Sequence, residues 1–151
     1  KMIVRKAKSD EAEVLTALCR LAKASWGYPE EWMQAWASEL LVTSNYIQSS
    51  KVLVAEIEGD IVGFGALSSR KEDLDLDHLW VDPTRQRMGV GSVLWARLVE
   101  HARTTNASSI YIVSDPFAQP FYEKHGAHFW KMMDAPVLGT PRSLPIFAFE
   151  L

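Results

Sequence analysis

The stretch Val81-Asp82-Pro83-Thr84-Arg85-Gln86-Arg87-Met88-Gly89-Val90-Gly91-Ser92 constrains this chain more than any other. An alternating run ends at Asp82-Pro83, a polar loop follows, and two glycines lead into a segment with apolar residues at helical spacing. A strand therefore turns through a loop into a helix. Glycine admits backbone paths, and close approach by a ligand, that a Cβ would block. The helix start adds unpaired N–H groups and the positive end of the helix dipole. Together these make a site for a pyrophosphate. The spacing excludes two commoner phosphate loops. No Lys-Ser/Thr pair follows Gly91, as a Walker loop requires, and Leu94 stands where a dinucleotide fingerprint has its third glycine.

The rest of the chain supplies a sheet for that loop. Val90, Leu94, Leu98 and Ala102 form the inward stripe of the helix that Gly89 opens. Upstream, Met2 to Lys6 reads as a strand. Ser9 or Asp10 caps the next helix, with Glu13 in capping-box position after Asp10. Val14, Leu18, Leu21 and Ser25 share one face of it. Gly27-Tyr28-Pro29 breaks this helix, and Trp32, Trp36 and Leu40 recur along a second one. Lys51–Ile57 and Ile61–Leu67 form a hairpin around Glu58-Gly59-Asp60, and Glu72–Val81 is a third long strand. Ser109–Val113 reads as a fully buried strand, Pro116–His125 as a short helix closed by Gly126. Phe129–Met132 and Ile146–Leu151 are the last strands, with a long loop between them. The expected fold is α/β (α+β): a mixed, mostly antiparallel sheet flanked by helices, as a single domain over residues 1–151.

Composition narrows the function. At 151 residues the chain can bury a core without metal or disulfide, and Cys19, its one cysteine, reads as a small buried apolar side chain. A net charge of -3 excludes the basic footprint of a nucleic-acid binder. No run reaches the ~20 apolar residues of a membrane span, so a cytoplasmic location is expected. His125 and His128 are separated by Gly126 and have no cysteine or carboxylate cluster nearby, which argues against a metal.

Gln86-Arg87-Met88-Gly89-Val90-Gly91 resembles the acetyl-CoA signature of the GNAT (GCN5-related N-acetyltransferase) superfamily, Gln/Arg-x-x-Gly-x-Gly/Ala. His78-Leu79-Trp80-Val81-Asp82-Pro83 resembles the strand leading into it. Asp115 to Ala127 resembles a second family motif, Asn-x-x-Ala-x-x-Phe-Tyr followed by a glycine and an aromatic residue. Asp115 replaces the Asn and Ala127 the aromatic. The resemblance implies acetyl-CoA as co-substrate. Its contacts would be Leu79, Trp80 and Val81 on the strand, then Gln86, Arg87, Met88, Gly89, Val90, Gly91 and Ser92 at the helix start. Asp115, Ala118, Phe121 and Tyr122 of the second motif would complete them. It further implies transfer of acetyl to a primary amine of a small molecule or peptide, by direct attack in a ternary complex.

That chemistry asks for three groups. An amine of pKa near 10.4 is neutral in only about one molecule in a few thousand at pH 7, so a base is needed. At period two, Asp73, Asp75, Asp77, Leu79 and Val81 share one strand face. Asp75 or Asp77 is the candidate base, the ordinary alternative being a solvated acidic face. His78 points the other way and reads as a packing residue. The resemblance places the N–H groups that receive the developing oxyanion near Leu79 to Val81. Tyr122 matches the family's acid tyrosine and can protonate the leaving thiolate.

Trp26, Tyr28 and Trp32 form an aromatic segment suited to a cationic acceptor. The alternative is that Trp32 and Trp36 pack against the sheet or against a second subunit of a homodimer. Arg142 can bind an acceptor carboxylate or cap its loop. A rival function is acyl-CoA binding without turnover, as a sensor or interaction module. Asp115 favours that rival and Tyr122 opposes it.

Overall fold

The computed structural model describes residues 1–151. Seven strands form one sheet: β1 (Met2–Lys6), β2 (Lys51–Ile57), β3 (Asp60–Arg70), β4 (Asp73–Val81), β5 (Ser109–Val113), β6 (His128–Asp134) and β7 (Ser143–Glu150). Their order is β1-β2-β3-β4-β5-β7-β6. All neighbours are antiparallel except β4 and β5, which are parallel and paired only at Leu74↔Ile110 and Asp75↔Tyr111. Beyond these two rungs the strands part, and β4 from Leu76 to Val81 has no strand on that side. The mixed sheet flanked by helices is the architecture that the sequence pattern implies.

Helices cover both faces. Helix α4 (Val90–Ala102) packs on one, and its stripe of Val90, Leu94, Leu98 and Ala102 is buried as the spacing requires. The close fit depends on glycines in β3. A Cβ on Gly63 would lie 2.8 Å from Val90 Cγ1 and 2.9 Å from the Trp80 carbonyl, and one on Gly65 would lie 2.7 Å from Leu98 Cδ1. The other face holds α1 (Ala12–Ala24), α2 (Glu30–Ala35) and α3 (Ser44–Ser49), around a core of Leu15, Cys19, Trp36, Val54 and Phe64. Helix α5 (Gln119–Lys124) follows β5 and ends at Gly126, whose φ of 94° suits a glycine.

Several local expectations are corrected. Helix α1 buries Leu15, Leu18, Cys19 and Ala22, while Val14 and Leu21 are 50% and 54% exposed. Its face is set by the loop across from it, where Thr16 Oγ1 exchanges hydrogen bonds with the backbone of Val42. The reach-back at its start comes from Glu11, not Glu13: the Glu11 carboxylate accepts the Lys8 N–H and pairs with Arg5. Helix α2 stops at Ala35, so Trp36 caps it and Leu40 lies beyond. Strand β5 is buried on one side only, with Val113 47% exposed. The last two strands are longer than expected and shorten the loop between them to residues 135–142. Helix α3 has no counterpart in the sequence reading.

Candidate active site

Two cavities meet where β4 and β5 part. The larger is a cleft of about 700 Å³ along the start of α4. Gly89 has φ 76° and Arg87 φ 68°, while Met88 between them is not left-handed. Alternation of this kind turns successive N–H groups to one side, a nest for anions. The N–H groups of the first turn of α4 add to it, the helix being long enough for a full dipole. A Cβ at Gly89 would meet nothing within 4 Å. Glycine there serves the backbone turn, not a tight fit to protein. Arg85, Arg87 and Lys124 line the cleft and no carboxylate does, so its charge suits a polyphosphate. Gln86, Val90, Gly91, Ser92, Ala118 and Phe121 line it too. Met88 does not; its side chain is 48% exposed. Ser92 Oγ lies 3.1 Å from His125 Nε2 at the rim. A flexible chain with phosphates at one end fits this donor set, as coenzyme A requires.

The smaller cavity, of about 200 Å³, opens between β4 and β5. Its ionisable lining is opposite in character: Glu39, Asp77 and Asp115 against the single cation Lys23, with His78 beside them. Burial lowers the pKa of the Lys23 ammonium, countered by Asp115 at 3.7 Å. Burial likewise lowers the pKa of His78, countered by Asp77. Trp80 Nε1 donates to His78 Nδ1 at 3.0 Å. An indole N–H can only donate, so neutral His78 carries its own proton on Nε2 and is poorly placed to act as a base.

Trp26, Leu79, Trp80, Ala118 and Tyr122 line both cavities. Trp26 stacks on Phe117 and tilts against Trp80, which walls the junction with rings. Tyr122 is 6% exposed and packs edge-on to Trp95 and Phe121. Burial first, then the charge of Asp115, raise its pKa above the ordinary range for a phenol.

The acidic strand face does not survive intact. Ala66 pairs with His78 but Leu67 with Leu76, so Asp77 is the extra residue of a β-bulge. Parity therefore changes within β4. Leu76 and Leu79 both face the α4 core, although period two would separate them. Asp75 lies outside the cavity, 3.8 Å from Arg70; burial raises its pKa and Arg70 opposes that. Asp73 accepts the N–H groups of Ser108 and Ser109 and anchors β5.

Asp115 is also re-placed. Its Oδ2 accepts from the Tyr28 hydroxyl at 2.8 Å and lies 3.5 Å from Arg142, and its Oδ1 accepts the Phe117 N–H. The side chain thus lines the smaller cavity and not the larger cleft. Tyr28, Trp32 and Arg142 do not line either cavity. Arg142 lies over the rings of Tyr28, Trp32 and Trp36, so these residues build a clasp behind Asp115. Lys23, Glu39 and Phe117 were absent from the sequence expectation, because no local pattern marks them.

The family profile described as Acetyltransferase (GNAT) family matches residues 15–127.

The chain belongs to this GNAT acetyltransferase family. It is an acyl-CoA-dependent N-acyltransferase by that membership. A GCN5-related N-acetyltransferase from Rhodopseudomonas palustris superposes with TM-score 0.82 at 22% identity, over 99% of this chain and 95% of that one. The PaiA N-acetyltransferase from Thermoplasma acidophilum, in complex with coenzyme A, gives 0.79 at 17% identity, over 100% and 99%. The ribosomal-protein-S18-alanine N-acetyltransferase from Escherichia coli gives 0.74 at 15%, over 99% and 94%. These likenesses show the GNAT fold. No curated protein matches the sequence. No helix is long and apolar enough to cross a membrane.

Proposed function

We propose that the protein transfers acetyl from acetyl-CoA to the primary amine of a small molecule, by direct attack within a ternary complex. The observation that carries this reading is Tyr122, a buried phenol lining both a cationic cleft and a small acidic cavity. Acetyl-CoA supplies the activated acyl group as a thioester. Gly89, Gly91, Ser92, Arg85 and Arg87 hold its phosphates at the start of α4. The amine enters the smaller cavity, where Glu39 and Asp77 favour a cation. Asp77, directly or through one water, takes the proton that makes the amine a nucleophile. As the amine attacks, the acyl oxygen gains charge beside the free edge of β4. Alternate N–H groups from Leu76 to Val81 point from that edge into the gap. Tyr122 stays protonated at every working pH and donates to the departing sulfur. The burial that holds its proton also disfavours a thiolate formed next to it.

The test is thiol release from acetyl-CoA across a panel of primary amines and short peptides. Release that depends on a small amine, with matching N-acetyl product, supports the reading. Stabilisation by acetyl-CoA with no amine-dependent release would leave a sensor as the function.

A further inference from the structure

The bulge at Asp77 is met by a side chain from another element. Helix α3 carries Tyr46, whose hydroxyl donates to Asp77 Oδ2. Tyr46 is held at its backbone too: the Thr43 side chain caps α3 by accepting the Tyr46 N–H at 3.0 Å. Ile47, the next residue, is buried and fixes α3 to the core. The Tyr46 ring stands edge-on to His78 at 5.9 Å. One exposed carboxylate on an irregular strand is thereby met by one well-anchored phenol. An exposed Asp free of partners would sample several rotamers, and catalysis needs one.

We propose that Tyr46 is the positioning residue for the catalytic base, holding Asp77 Oδ2 so that Oδ1 faces the incoming amine. The proposal rests on Asp77 acting as that base. Tyr46 touches no reacting atom in this arrangement. It acts by orientation, through its hydrogen bond to one carboxylate oxygen. The other charged and titratable groups around Asp77 are Asp75 and His78 on its own strand, Lys23 of α1 and Glu39 of the loop after α2. Burial, and then the bond to Asp77, raise the pKa of Tyr46, so it remains a donor throughout the useful pH range.

The experiment compares kcat, and KM for acetyl-CoA and for one good amine, in wild type, Tyr46→Phe, Asp77→Asn and the double variant. Melting curves with and without acetyl-CoA confirm that each variant is folded. Tyr46→Phe should lower kcat about tenfold and leave both KM values unchanged. Adding Tyr46→Phe to Asp77→Asn should cost nothing more, because the two act as a unit. A purely structural tyrosine would lower the melting temperature and leave kcat of the folded enzyme in place. If Tyr46→Phe keeps the wild-type kcat while Asp77→Asn loses activity, the positioning role is overturned and the base assignment stands. If Asp77→Asn itself keeps kcat, both are overturned.

Discussion

The two cavities that meet at Tyr122 are built in opposite ways. The larger cleft draws its lining from two stretches, within residues 79–92 and 117–124, plus Ala22, Ser25 and Trp26 at and beyond the end of α1. Much of its binding surface is backbone: an anion nest, a helix N-terminus and the start of a loop. The smaller cavity takes single side chains from segments far apart in sequence, such as Lys23, Glu39, Asp77, Asp115 and Leu144. Their charges differ as well, cationic in the first and net acidic in the second. A site made of main chain tolerates many side chains but demands glycine where the path turns. A site made of side chains can change its ligand by single substitutions while the fold stays as it is.

The sharpest challenge to this division is Tyr122, which belongs to both cavities. Tyr122→Phe should lower kcat by about 10²–10⁴-fold and leave acetyl-CoA binding near wild type, as read by steady-state rates and calorimetry. Unchanged turnover, where chemistry limits the rate, removes the acid from the scheme. Gly89→Glu tests the cleft alone. It places a carboxylate where the nest turns and should abolish the rise in melting temperature with acetyl-CoA. Gly89→Asn, which tolerates a left-handed backbone, should keep most of that rise. Equal loss in both variants would mean that backbone strain, not charge, governs the site.

Smaller effects probe the supports. Gly63→Ala presses a methyl against Val90 and the Trp80 carbonyl, behind both cavities. It should cost about 1–3 kcal/mol in denaturant unfolding. A neutral result would show that α4 can move away from β3 freely. The smallest effect concerns His78. An unfolded histidine takes up its proton near pH 6.5. Folded His78 does so at lower pH, chiefly through burial. Between those values the unfolded chain binds more protons, so stability falls as pH drops below about 6.5. His78→Gln should flatten that fall in melting temperature. It will not remove it, because His101 and His125 shift in the same direction.

The same division explains what the sequence disclosed. The cleft was legible because its parts are local: Gln86 to Gly91 occupy consecutive positions, and the α4 stripe follows one period for its whole length. The smaller cavity was not, because tertiary contacts assemble it. Asp75 and Asp77 look equivalent at period two, and only the register with β3 reveals the bulge that parts them. Helix α1 carries apolar residues all round, from Val14 to Ala22, so its sequence offers more than one inward face. Val42, bonded to Thr16, selects among them. Tyr46 lies on a helix of six residues, too short to show a period. Tyr28 and Arg142 are far apart in sequence, yet both engage the Asp115 carboxylate.

The parting of β4 from β5 also has a mechanical side. A sheet resists shear through the rungs that join its strands, and here two rungs join the half built from β1 to β4 to the half built from β5, β7 and β6. Every other strand pair has at least five. Under tension the molecule should yield first along this line, with each half keeping its own ladder. A ligand lying across the line would act as a splint, raising the force at which the halves separate.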